Sequence, residues 1–331
     1  MITRAVKGQA TARVSATLDA AALRKRPWRC CLHTAKRAHC SRQRAFSLES
    51  RYTAGMSVQW FPGHMTKALR ELSALIPSQD VIIEVVDARL PASSSNPVLS
   101  ELRGLKPCIK VLSKSDLADP ALTSAWLSYF RSQPNVSALV SSAGEHHVTR
   151  QRISELSRDA ALTRGPNKEV RALIAGVPNV GKSTLINILM QRSVAAVSDK
   201  PAVTKEQQTV VLKDGTWLTD SPGVTWPKME DELGALRLAF AGSIPDTAID
   251  YLTVALSGAE LLLERYAALL VTRYKLKQTP ESPTALLTEI GRRRGGLRPG
   301  GVVDLHKAAE ILVHEFRAGT LGRITLEAPP G

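Results

Sequence analysis

The stretch Gly176-Val-Pro-Asn-Val-Gly181-Lys182-Ser183 constrains this chain more than any other feature. It matches G-x-x-x-x-G-K-[ST], a loop whose glycines let backbone N–H groups turn inward around phosphate oxygens. The apolar, β-branched run Val170–Ala175 precedes it, and the run Lys182–Gln191, with helical spacing, follows it. Strand, loop and helix in that order place the helix N-terminus and its dipole on the bound anion. The residues expected to line phosphate are Asn179, Val180, Gly181, Lys182, Ser183 and Thr184. Lys182 would reach the β- and γ-phosphates, and Ser183 would ligate Mg²⁺. The bland alternative, a chance glycine turn before a helix, fits the flanking elements less well.

The rest of the main body alternates strand and helix. Asp80–Val86, Pro107–Leu112 and Ser137–Val140 read as strands, and Ala121–Arg131 and Thr149–Thr163 as helices. Gln208–Leu212 and Thr216–Thr219 flank Asp214-Gly215, a hairpin signal. This alternation predicts an α/β fold, a mostly parallel sheet with helices on both faces. Beyond about Ile244 the strands stop, and Ala248–Arg273, Pro283–Arg293 and Lys307–Arg317 read as helices. The expected organisation is a leader over 1–55, a nucleotide-binding α/β domain over 56–243 and a small helical domain over 244–331.

Two further elements complete a phosphate and metal site. Asp220-Ser-Pro-Gly223 follows a strand and lies 38 residues after Lys182. Asp220 would hold the magnesium shell, and the Gly223 N–H would meet the γ-phosphate. Thr204 is the candidate switch threonine, completing the magnesium shell through its hydroxyl. A bare D-x-x-G is more often a turn, and Thr204 alone is a surface threonine; the ensemble favours function.

A base-reading motif is missing downstream of Gly223. It is found upstream, where Ser113-Lys114-Ser115-Asp116 ends the second strand. The Asp116 carboxylate would accept from guanine's ring N–H and exocyclic amine, a donor pair that adenine lacks. Such a two-point base contact discriminates by about 1–3 kcal/mol. The Lys114 stem would cover the base face, and the loop Ser141-Ser142-Ala143 would meet the guanine carbonyl through backbone N–H. S-K-x-D alone is a weak signal. Every element, however, adjoins a predicted strand, in the order of a G domain cut and rejoined elsewhere. Such a circular permutation keeps the site intact, because strand order in space builds the pocket.

Composition bounds the rest. Residues 1–55 hold twelve Lys and Arg against Asp19 and Glu49, so +10 of the net +14 lies there. An Arg-rich, acid-poor leader of this kind predicts an organellar transit peptide. Met56 offers an alternative start in a bacterial protein, and a solvated basic arm is a third reading. Cys30, Cys31 and Cys40 lie in the leader and only Cys108 beyond it, which argues against a disulfide framework. No run of 18 apolar residues predicts a membrane span.

At this point the chain resembles the circularly permuted GTPases of ribosome assembly, the family of bacterial ribosome biogenesis GTPase A and mitochondrial ribosome-associated GTPase 1. The resemblance runs over about residues 58–328. It is carried by Gln59-Trp-Phe-Pro-Gly-His64-Met-Thr-Lys67, by Asp87-Ala-Arg89 with Ser94-Ser95-Asn96-Pro97, by Asp220-Ser-Pro-Gly-Val-Thr-Trp-Pro-Lys228, and by Gly291-Arg-Arg-Arg294 with Gly300-Gly301. It implies binding of a late precursor of the large ribosomal subunit, with GTP gating its maturation, slow turnover alone and stimulation by the subunit. Val224 stands where many GTPases hold a water-orienting Gln, and the resemblance gives that task to His64. It also makes Asn179 a ligand for K⁺ beside the phosphates. Ser113 and Ala202 depart from the family pattern, in the base pocket and before the switch threonine.

The helical domain carries a basic cluster at Arg273, Lys275, Lys277, Arg292, Arg293, Arg294 and Arg298. Arg292, Arg293, Arg294 and Arg298 are the candidate contacts to ribosomal RNA phosphates, which position without reading sequence. The bland reading is a solvated helix end. The expected partners are the large subunit and its rRNA, with no small-molecule substrate beyond GTP. The family expectation is a monomer, in the mitochondrial matrix or at the inner-membrane face. Peripheral membrane association, another organelle and a bacterial cytoplasm stay open. So does a non-catalytic reading, a GTP-gated placeholder or RNA-binding module on the ribosome.

Overall fold

Seven consecutive buried residues, Val81–Asp87, form the strand β1. An unbroken buried run suits a parallel strand covered on both faces. The computed structural model describes residues 63–142, 144–161, 169–191, 208–223 and 231–330. In chain order these hold α1 (Gly63–Leu75), β1, α2 (Pro97–Arg103), β2 (Cys108–Ser113), α3 (Pro120–Arg131), β3 (Val136–Val140), α4 (His146–Ala161), β4 (Arg171–Ala175) and α5 (Lys182–Leu189). There follow β5 (Gln208–Val211), β6 (Trp217–Asp220), α6 (Glu232–Phe240), α7 (Tyr251–Arg265), α8 (Ala267–Tyr274), α9 (Pro283–Arg293) and α10 (Leu305–Arg317).

The sheet order is β3-β2-β1-β4-β6-β5. All neighbours are parallel except the edge strand β5, which returns antiparallel on β6. The expected mostly parallel sheet is therefore present. Alternate residues of β1 face opposite layers. Val81, Ile83 and Val85 join a core with α4, α5 and the later helices, while Ile82 packs towards α1 and α2. From β1 the chain steps outward through β2 to β3; β4, β6 and β5 extend the other way. The β1–β4 boundary is thus the reversal point of a doubly wound sheet, where such folds bind ligands.

Local signals account for the helix starts. Asn96, Asp119 and Ser282 cap α2, α3 and α9 with side-chain oxygens, and a proline follows each in the first turn. Asp250 and Asp304 cap α7 and α10 in the same way.

The expected helix Ala248–Arg273 needs correction. It is two helices, α7 and α8, broken at Tyr266 (φ −130°, ψ 26°). The Tyr266 hydroxyl donates to Asp119 Oδ2 at 3.3 Å or Thr325 O at 3.0 Å and accepts from Thr325 N at 3.1 Å. These long-range bonds fix the tyrosine where helical periodicity alone would run on.

The strands end with β6 at Asp220, and the packing of helix on helix begins with α6, one element before Ile244. Phe240, ending α6, stacks on Phe316 of α10 with ring centroids 4.4 Å apart. Gly258 of α7 lies so close to Phe240 that a Cβ there would come within 2.5 Å of the ring. The chain then returns to the sheet: Ile324 N donates to Leu117 O and Leu326 N to Arg89 O. Glu327 accepts from Ala92 N at 2.7 Å and from the Ser93 hydroxyl, and pairs with Arg237 of α6 at 3.3 Å. Among the described residues no helix is long and apolar enough to cross a membrane.

Candidate functional site

Five strands end at one edge of the sheet, and four of the loops leaving them carry the motifs read from the sequence. The phosphate loop follows β4. Gly176 has φ +151°, and a Cβ there would lie 2.5 Å from Val85 O of β1, so glycine is what lets the loop leave the sheet. Asn179 (φ +58°) and Gly181 (φ +100°) turn the loop into α5 through left-handed conformations. Val180 is buried, while Asn179, Gly181, Ser183 and Thr184 are half-buried at the surface of the loop and the first turn of α5.

Lys182 is buried, and its Nζ donates to Gly176 O at 3.0 Å and Val177 O at 2.9 Å. Burial draws its pKa down to about 8, against the pull of the nearby Asp220 carboxylate. Asp220 ends β6 in register with Ile174 of β4. Burial pushes its carboxyl up to about 6, although Lys182 and the Ser221 N–H act in the other direction. Its Oδ1 is buried without a hydrogen-bond partner among the described residues. An orphaned carboxylate oxygen beside the Ser183-bearing helix start fits a magnesium shell. Gly223 closes over the same place: a Cβ on it would come 2.8 Å from Lys182 Nζ and 3.0 Å from Pro178 Cα.

The turn Ser113–Asp116, expected to read the base, follows β2, and it is tied to the loop after β4. The Ser113 hydroxyl lies within hydrogen-bond reach of Val180 O and of Val86 O. Lys114 (φ +54°) donates from Nζ to Asn179 O at 2.7 Å. Asp116 is exposed on the same turn. The loop after β3 joins it: Ser141 N donates to Leu112 O at 2.8 Å and Ser115 Oγ to Ser141 O at 3.3 Å. Ser142 is half-buried next to it.

The structure therefore gathers Ser113, Lys114, Asp116, Ser142, Asn179, Val180, Gly181, Lys182, Ser183, Thr184, Asp220 and Gly223 around one sheet edge. Ala143, Ala202, Thr204, Val224 and the leader lie outside the described residues. Of His64 the backbone alone is described, in the first turn of α1. Asn179 Nδ2 donates to Gly242 O at 2.8 Å.

The basic cluster is assembled but partnered. Arg292 and Arg293 pair with Glu289 at 2.9 and 3.1 Å, and Arg298 with Asp304 at 2.8 Å. Arg273 and Arg294 share Glu315, at 2.7 and 3.8 Å. Five arginines thus share three carboxylates, so positive charge exceeds negative within these pairs.

Asp87 and Arg89 carried no assigned chemistry in the sequence, yet they sit at the centre of the site. Asp87 is wholly buried at the end of β1 and pairs with Arg89 at 2.8 Å and Lys114 at 3.0 Å. Burial alone would raise its carboxyl, but the two cations hold it well below the usual carboxylate range. A signal was available: like Asp220, it is an acid closing an apolar strand run.

Residues 171–272 match the family model described as 50S ribosome-binding GTPase. The chain is 40% identical over 280 residues to ribosome biogenesis GTPase A of Bacillus cereus, covering 83% of this chain and 95% of that one. It is 31% identical over 299 residues to mitochondrial ribosome-associated GTPase 1 of Mus musculus, covering 81% and 90%. Among solved structures it is similar to GNP-bound YlqF from T. maritima, with a TM-score of 0.58, 28% identity and coverage of 80% and 98%. A GDP-bound YlqF gives a TM-score of 0.60 at 26% identity, covering 78% and 99%. With its base reader ahead of its phosphate loop, the chain belongs to the family of circularly permuted ribosome-assembly GTPases that includes ribosome biogenesis GTPase A.

Proposed function

We propose that this protein binds and hydrolyses GTP, and that the nucleotide gates its association with a late precursor of the large ribosomal subunit. The observation that carries the reading is the pair of contacts from Ser113 and Lys114 to the phosphate-loop carbonyls of Val180 and Asn179. They make one gripping unit of a base reader and a phosphate loop that lie far apart in sequence. Asp116 and the backbone of Ser142 and Ala143 would select guanine, and Lys114 would cover its face. The loop amides and Lys182 would hold the phosphates. Ser183, Thr204 and Asp220 would hold Mg²⁺, which supplies charge neutralisation at the transferring phosphate. Asn179 would present its amide oxygen to K⁺. His64 would orient the attacking water, since Val224 offers no polar atom for it.

The expected partners are the large subunit and its rRNA, met through the surplus charge of Arg292, Arg293, Arg294 and Arg298. The expected location is mitochondrial, supported by the leader composition and by the mitochondrial relatives. The protein is expected to act as a monomer.

The test is GTP turnover by the full chain in K⁺ buffer, with and without purified large ribosomal subunits. Stimulation by the subunit, lost in His64→Ala, is expected. GTP binding without turnover in either condition overturns the catalytic half and leaves a GTP-gated placeholder. Asp116→Asn tests the base reading: preference should move from guanosine towards xanthosine nucleotides, and unchanged preference sinks the assignment.

A further inference from the structure

Lys114, Asp87, Arg89, Arg317 and Asn179 form a closed circuit that leaves the phosphate loop, crosses to the last helix and returns. Lys114 Nζ donates to Asn179 O on the loop and to Asp87 Oδ2 at 3.0 Å. Arg89 grips the same carboxylate with two nitrogens, Nε to Oδ1 at 3.0 Å and Nη2 to Oδ2 at 2.8 Å. Its remaining Nη1 faces the carbonyls that end α10, Phe316 O at 3.3 Å and Arg317 O at 3.5 Å. Its plane lies over the Phe316 ring, 4.9 Å from the centroid. On the return arm, the Arg317 side chain donates to Ala239 O at 2.8 Å and Phe240 O at 3.2 Å. Two residues beyond, Gly242 O accepts from Asn179 Nδ2.

The parts of this circuit have little freedom. Asp87 and Arg89 are at most 2% exposed, so neither can exchange its partners for water. A buried, fully paired network of this kind has few alternative arrangements. The last carbonyls of a helix lack intrahelical donors and favour a cation, so the end of α10 is a fitting anchor for a guanidinium. If that end shifts, Arg89 loses the anchor that sets its fork, and the carboxylate it shares with Lys114 shifts with it.

We propose that Asp87 and Arg89 are positioning residues that set Lys114 against the phosphate loop while α10 is seated, so that nucleotide binding and the seating of α10 are linked. The proposal rests on the nucleotide-site reading above. Linkage makes the effect reciprocal: nucleotide steadies the end of α10, and loosening that end weakens nucleotide binding.

The experiment uses the full chain, a fluorescent GDP analogue and amide hydrogen exchange. In the wild type, saturating GDP should slow exchange of the amides from Glu315 to Gly319. Arg89→Lys keeps a cation beside Asp87, but a lysine has no fork to hold the carboxylate and the α10 carbonyls together. It should weaken GDP binding about five- to tenfold, in the range of linked sites, and abolish the GDP effect on α10. A second measurement, a double-mutant cycle of Lys114→Met and Arg317→Gln on GDP affinity, does not depend on that variant folding. Effects that fall short of additivity by severalfold support the relay. Additive effects, or GDP binding that leaves α10 exchange unchanged in the wild type, overturn it. Failure of the wild type to bind the GDP analogue removes the nucleotide reading itself, a result distinct from failure of the relay.

Discussion

The two strands flanking β4 each end in an aspartate, and the two have opposite fates. Asp87, closing β1, is paired on both oxygens by Arg89 and Lys114 and is held ionised far below the usual range. Asp220, closing β6, has one buried oxygen without a partner and a pKa pushed up to about 6. Both lie beside the phosphate loop and both cost desolvation. The difference lies in what the surrounding chain supplies. Around Asp87 it supplies cations and a helix end, and the carboxylate becomes part of the scaffold. Around Asp220 it leaves an oxygen unspent, which suits a group whose partner is a metal or a ligand. Two acids in matching positions are therefore partnered differently: Asp87 is built into the scaffold, and Asp220 keeps one buried oxygen open.

The largest expected effect breaks the scaffold side. Asp87→Ala strands a buried guanidinium and should cost about 3–5 kcal/mol of stability, the range for removing one partner of a buried pair. Denaturant unfolding measures it; a loss below about 1 kcal/mol would mean that Asp87 is not structural.

The second prediction addresses the chemical side. Asp220→Asn should leave folding stability unchanged or raised, because it removes a poorly solvated charge. Mg²⁺-dependent GTP affinity should fall by about tenfold or more, equivalent to at least ~1.4 kcal/mol. Calorimetric titration with and without Mg²⁺ separates the two effects, and a fall that is independent of Mg²⁺ would argue against the metal role.

A third prediction uses pH in metal-free buffer. For Asp220 the folded pKa is raised, so between pH ~4 and about 6 the folded state holds a proton that the unfolded state has released. Stability from this group therefore falls as pH rises through that window. For Asp87 the folded pKa is depressed, so its contribution is present above the unfolded pKa near ~3.9 and is lost as pH falls below it. Melting temperatures from pH 3 to 7 should show Asp220→Asn gaining on the wild type as pH rises through the window. Parallel curves would mean that Asp220 has an ordinary pKa.

The smallest effect comes from a solvent-exposed ion pair. Arg298→Ala removes the exposed pair with Asp304 and should leave the melting temperature unmoved, since such pairs contribute little. Its readout is binding to large subunits, which should weaken and lose part of its salt dependence.

One side of this contrast, Asp220, was legible before the structure. The G-x-x-x-x-G-K-S loop, the S-K-x-D turn and Asp220 stood out because they rest on local signals: glycines where φ must be positive, a lysine at a helix start, an acid closing an apolar run. Helix starts at Asn96-Pro97, Asp119-Pro120 and Ser282-Pro283 carry their own caps. The buried pair Glu84–Lys110, 2.7 Å apart, was not legible, because its members meet through the register of β1 on β2. Nor was the break at Tyr266, which depends on Thr325 some sixty residues away.

By itself the sequence determined which segments could be strand or helix, which loops are expected to meet phosphate and guanine, and that the G-domain parts run in permuted order. Periodicity, caps and loop glycines act within a few residues of their own position. The tertiary structure alone decided which aspartate would be satisfied and which left open, and how the base reader bonds to the phosphate loop. It also decided that the last helix would end against Arg89. Each of these depends on groups brought together across long stretches of chain, and no local propensity encodes which partner arrives.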